Sequence, residues 1–196
     1  MLGFGPIGSY PIGALPHHVA AGRRRAAVTV SNLIIPEHKT EEGILIRSTA
    51  AVWNEIAEAL GDDWSLAFQI PPHRWEEIVA GAFHKEGYHE VILTPRSGDL
   101  GRDVIAIKHG VGCVKVIGSV KAFAPDNEVG YEYIREFIGV LTGEPDASKG
   151  IIATTSRFPA KVHEQKNIAP FLPTRLELMD GEKLQKWLSE LSKSIL

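Results

Sequence analysis

The sequence predicts an α/β fold, a mixed β-sheet flanked by helices, with a small α/β module ahead of it. Three observations lead there. Several segments repeat apolar residues at helical spacing. Short alternating or continuously apolar runs lie between them. From Arg74 onward the order reads helix, three strands, helix, strand, strand, helix. A chain of 196 residues with 44% hydrophobic content can bury a core of this kind.

Residues 1–25 are rich in Gly and Pro, with Pro6-Ile7-Gly8 echoed by Pro11-Ile12-Gly13 and with Arg23, Arg24 and Arg25 at the end. A flexible arm is expected, and its arginines could touch a phosphate backbone or a partner protein. Residues 26–71 read as the small module. Two short strands fall near 26–35 and 43–47, and Val52, Ile56, Ala59 and Leu60 share one face of a helix that Gly61 should stop. The double proline in Gln69-Ile-Pro-Pro-His73 sets a boundary, because it continues neither a helix nor a central strand.

The main domain is expected over residues 72–196. Trp75, Ile78, Val79, Ala82 and Phe83 form a helical stripe, Glu76 and Glu77 are expected in its first turn, and Gly87 suits the position just past its end. A strand near 88–94 and a hairpin follow. Tyr133, Ile134, Phe137, Ile138 and Leu141 mark a second helix, and the run Gly150-Ile-Ile-Ala-Thr-Thr155 marks a buried strand. Leu176 to Met179 marks another strand, and Leu184, Trp187, Leu188 and Leu191 mark a closing helix.

Composition removes several function classes. A net charge of −3 provides no global attraction to a polyanion, so contact with nucleic acid needs a local basic surface or a metal ion. Cys113 is the single cysteine, which rules out a disulfide framework and a thiolate zinc site and points to a reducing cytoplasm. Pro6, Pro11 and Pro16 interrupt the N-terminal apolar run, which also lacks a basic start, so neither a signal peptide nor a membrane span is expected. The eight histidines show no ligand spacing, the glycines of the hairpin do not form a dinucleotide fingerprint, and Ser119 lacks a nucleophile elbow.

The hairpin Gly98-Asp-Leu-Gly-Arg-Asp-Val-Ile-Ala-Ile-Lys-His-Gly-Val-Gly-Cys-Val-Lys-Val-Ile-Gly-Ser-Val-Lys121 carries polar groups where a buried strand pair should have none. Alternation points Ser119 and Lys121 to the same face. An odd number of turn residues, or a bulge, places Asp103 opposite Ser119; an even number with no bulge shifts it to Gly118 and separates the group. A carboxylate beside a lysine can hold Mg²⁺ and stabilise phosphate charge, while a turn-capping aspartate and a snorkelling lysine are the structural alternative. Thr154, Thr155 and Ser156 at a strand end could hold a phosphate or cap the next segment, and Arg135 could contact phosphate or pair with Glu132.

The block from Trp75 to Leu188 resembles the Mrr-type restriction endonuclease domain of the PD-(D/E)xK nuclease superfamily. The matching pieces are Arg74-Trp-Glu-Glu-Ile-Val-Ala80, Gly87-Tyr88, Leu93-Thr-Pro-Arg-Ser-Gly-Asp-Leu-Gly-Arg-Asp-Val-Ile-Ala106, Val120-Lys121, Arg135-Glu-Phe-Ile-Gly139, Gly150-Ile-Ile-Ala-Thr-Thr-Ser156 and Leu178-Met-Asp180. The resemblance implies a restriction-endonuclease-like mixed sheet, Mg²⁺ (with Mn²⁺ as an alternative) as cofactor, and foreign or modified DNA as partner, with a homo-oligomer left open. It implies Asp103 as metal ligand, Lys121 as catalytic lysine, Glu76 as a supporting acid and Asp99 as the first acid of the glycine turn, here followed by Leu100. Ser119 stands where the family has Glu or Gln. Three outcomes stay open at that position. Another carboxylate, from Glu76, Asp99 or Glu132, takes the ligand role; or Ser119 serves with water and phosphate; or the site is inactive and the domain only binds DNA.

Overall fold

The computed structural model describes residues 32–95 and 101–194. The arm expected over residues 1–25 and the candidate ligand Asp99 lie outside the described residues.

Seven strands form one sheet in chain order: β1 (Ile34–Lys39), β2 (Ile44–Thr49), β3 (Glu90–Leu93), β4 (Val104–Lys108), β5 (Val114–Lys121), β6 (Lys149–Thr154) and β7 (Leu176–Met179). Neighbours from β1 to β5 run antiparallel, and β5, β6 and β7 run parallel. The helices are α1 (Ala51–Asp62), α2 (Pro72–Lys85), α3 (Tyr131–Gly143) and α4 (Gly181–Lys193). The order of elements after the double proline matches the one read from the sequence.

Strand alternation divides the core in two. Val104, Ala106, Val116, Ala153 and Met179 face Trp53 and Ile56 of α1, Trp75 and Ile78 of α2, and Leu184 and Leu188 of α4. Their strand neighbours Ile105, Ile117, Ile152 and Leu178 face Ile134, Phe137 and Leu141 of α3 on the other side. The product is a three-layer α/β/α sandwich whose central strands are buried on both faces, as a sheet with crossover helices requires.

Several local expectations shift. Residues 34–62 are continuous with the rest, because β2 pairs with β3 through Ile44↔Leu93 and α1 shares its core with α2 and α4. The double proline opens α2, with Pro72 in the first turn, where a missing N–H costs nothing. Glu76 and Glu77 therefore fall in the second turn, and Glu77 pairs with Arg74 at 2.8 Å instead of meeting the helix dipole. Gly61 does not stop α1, which continues to Asp62. It permits close approach, since a Cβ there would lie 2.9 Å from Ser189 Oγ on α4.

Gly87 does end α2. Its φ of 86° suits glycine, its N–H donates to the His84 carbonyl, and the next N–H, that of Tyr88, donates to the Phe83 carbonyl. This turn delivers the chain from the α2 face into β3 at the sheet centre.

Candidate active site at the ends of β4 and β5

The turn between β4 and β5 holds the five residues 109–113, an odd number, and Val104 pairs with Gly118. Continued by one step, this register sets Asp103 across from Ser119, where the Asp103 N–H donates to the Gly118 carbonyl at 2.8 Å and the Thr94 N–H donates to the Asp103 carbonyl at 3.0 Å. The aspartate backbone is thus tied to both neighbouring strands. Its carboxylate turns to β5: Oδ2 accepts from the Ser119 hydroxyl at 3.2 Å and from the Val120 N–H at 2.6 Å.

Ser119 is only 3% exposed, so its hydroxyl is committed to this pair and not to bulk water. Lys121 lies two residues on, half-buried, at the C-terminal end of β5. Its carbonyl accepts the Thr154 hydroxyl at 2.7 Å, which binds the end of β5 to the end of β6. Its ammonium lies 5.6 Å from the ring centroid of Tyr133 on α3. Ser119 and Lys121 share the α3 side of the sheet with Ile117, as alternation demands.

Arg102, directly before Asp103, points into a separate ion cluster. Its guanidinium meets Glu144 at the end of α3 and Glu42 in the β1–β2 turn, and Lys115 also reaches Glu144 at 3.0 Å. Arg102 is 5% exposed, so this cluster anchors the strand start that carries Asp103.

The remaining expected residues divide. Glu76 is half-buried on α2, whose apolar stripe covers the opposite face of the sheet. Glu132 folds back over Gly130 at the start of α3, so closely that a Cβ on Gly130 would fall 2.1 Å from its Oε1. Arg135 is exposed on α3.

The hydroxyls of Thr155 and Ser156 bond to backbone groups of residues 123–127. The Thr155 hydroxyl accepts the Phe123 N–H at 2.9 Å and donates to the Phe123 carbonyl at 2.7 Å, and Ser156 Oγ donates to the carbonyls of Pro125 and Asn127. Both side chains are buried and fasten the segment that leaves β5, whose backbone groups need hydrogen-bond partners once the strand ladder ends. Sequence reading did not foresee Tyr133 as the partner of Lys121; it placed Tyr133 within an apolar stripe, whereas the ring is 37% exposed.

The donor chemistry fits a hard cation weakly. Asp103 supplies one carboxylate and Ser119 one hydroxyl oxygen with lone pairs to spare, and Mg²⁺ commonly keeps water and phosphate for its other positions. Among the described residues, no three His, Cys, Asp or Glu side chains converge into a metal cage.

No curated protein matches the chain. Among solved structures, the MspJI restriction endonuclease in complex with a 27-mer oligonucleotide is 16% identical, with a TM-score of 0.44 over 77% of this chain and 33% of that one. The DNA modification-dependent restriction endonuclease AspBHI is 15% identical, with a TM-score of 0.47 over 80% of this chain and 39% of that one. The chain thus spans well under half the length of either protein. The family model of the restriction endonuclease group Mrr_cat matches residues 68–188, from the 3₁₀ turn before α2 into α4 and including Asp103, Ser119 and Lys121. The chain belongs to the Mrr_cat restriction endonuclease family.

Proposed function

We propose that this chain is a Mg²⁺-dependent DNA endonuclease of Mrr type, hydrolysing phosphodiester bonds in foreign or modified DNA. The observation that carries the reading is the Asp103–Ser119 pair with Lys121 two residues on, three polar side chains at one end of a strand pair whose middle is apolar.

Restriction endonuclease domains of this family generally use divalent metals. Asp103 would hold the cation, with Ser119 as a neutral second donor. When bound, the cation would neutralise phosphate charge and lower the pKa of water. Lys121 would place its ammonium beside the charge that builds on the attacking oxygen and phosphate. Glu76 and Asp99 are proposed in support, and Arg135 as an exposed cation for the phosphate backbone.

Ser119 favours a second reading. A hydroxyl brings no charge, so the site could have lost catalysis while the fold still binds DNA or a partner protein. Plasmid incubated with the protein and Mg²⁺ or Mn²⁺, beside Asp103→Ala and Lys121→Ala, separates the two. Cleavage by the wild type that both variants lose supports the nuclease. A gel shift retained by all three proteins with no cleavage by any supports the binding module.

A further inference from the structure

We infer that Tyr133 is a positioning residue for Lys121, holding the ammonium by its ring face; this rests on the nuclease reading above. Among the described residues, Lys121 forms no ion pair with a carboxylate, and its ammonium lies over the Tyr133 ring, 5.6 Å from the centroid. In a site where Ser119 supplies no negative charge, the quadrupole of an aromatic face supplies the attraction that orders the lysine.

The ring is itself held. Phe123 meets Tyr133 at a centroid distance of 5.8 Å and an interplanar angle of 67°, an edge-to-face contact. Phe123 is fastened in turn by both hydrogen bonds to the Thr155 hydroxyl. A chain of contacts thus runs from Thr155, directly after β6, through Phe123 and Tyr133 to Lys121, fixing the flexible lysine stem from the α3 side. Tyr133 and Lys121 both keep part of their surface exposed.

The geometry uses the ring and not the hydroxyl, which decides the test. Tyr133→Phe, Tyr133→Trp, Tyr133→Leu and Tyr133→Met are made in the full chain, with thermal melts to confirm folding. The ε-methylene protons of Lys121, read by NMR on lysine-labelled protein, should show a ring-current shift with Tyr, Phe and Trp that disappears with Leu and Met.

In plasmid cleavage, the turnover of the Leu and Met variants should fall roughly two- to thirtyfold, the span of a cation–π contact, with KM for DNA little changed. Tyr133→Phe should stay within about threefold of wild type. The inference is overturned if wild type shows no ring-current shift, if Tyr133→Leu cleaves like wild type, or if Tyr133→Phe falls as far as Tyr133→Leu. A wild type that never cleaves removes the nuclease reading, while the ring-current series still decides whether Tyr133 holds Lys121.

Discussion

Asp103 stands across the β4–β5 pair from Ser119, and the serine hydroxyl donates to the aspartate carboxylate over 3.2 Å. The resemblance implies an acid or amide at the serine position, where this chain has a neutral hydroxyl. Ser119→Glu would add a carboxylate beside Asp103. With a cation present the two acids share it, and without one they repel. Calorimetric titration with Mg²⁺ or Mn²⁺ should show tighter binding in Ser119→Glu, and plasmid cleavage should rise. Weaker binding and slower cleavage would mean that another carboxylate already occupies that corner.

Thr155 is expected to act on stability before it acts on DNA. Thr155→Val removes the acceptor of the Phe123 N–H and the donor to its carbonyl while keeping the side-chain shape. The loss should be about 1–3 kcal/mol, the cost of stranding a buried polar group. Urea unfolding measures it. A variant that unfolds like wild type but binds DNA more weakly would restore the phosphate role.

Gly81→Ala reverses the usual sign of a helix substitution. In an exposed helix interior alanine gains about 1 kcal/mol over glycine. Here a Cβ would lie 2.4 Å from Nε1 of Trp53, which is 1% exposed and bonded through that nitrogen to the Ile78 carbonyl at 3.0 Å. The indole has no room to retreat, so a net destabilisation of about 1–3 kcal/mol is expected from overpacking. A lower urea midpoint checks it.

Alkaline stability should depend on Tyr88. Burial pushes its hydroxyl above the ordinary tyrosine value, and the carboxylates of Glu86 and Glu177 add to the shift. The folded state then holds its proton longer than the unfolded state, so this contribution is complete below the unfolded pKa of about 10. It is lost as pH rises through the higher folded value. Melting temperature should fall less steeply above pH 10 in Tyr88→Phe than in wild type, because phenylalanine has no proton to lose.

Much of the fold was legible because helix and strand periods differ. Ile105 and Ile117 face α3 while Val104 and Val116 face α2, and that alternation is written directly in Val104-Ile-Ala106 and Val116-Ile117. The Asp103–Ser119 pairing was legible only as a condition on turn parity, which residues 109–113 meet.

Other features depended on packing between distant segments. Gly61 reads as a stop, yet it serves the approach of Ser189 from α4. The hydroxyls of Thr155 and Ser156 read either as phosphate donors or as caps, and their bonds to the backbone of residues 123–127 come from a segment that the strand pattern does not place beside them. Tyr133 reads as core, because an apolar stripe does not show which helix turn overhangs the end of β5.

The central claim is that Asp103 organises a metal-dependent DNA-cutting site at the start of β4. The most direct measurement is the rate of supercoiled plasmid nicking as a function of Mg²⁺ concentration, for wild type and Asp103→Asn. Asparagine keeps the shape and an oxygen to accept from Ser119 and Val120 but removes the charge. The predicted result is saturable Mg²⁺-dependent nicking by wild type and none above background by Asp103→Asn. Equal nicking by both proteins, or none by wild type at any Mg²⁺ concentration, would contradict it.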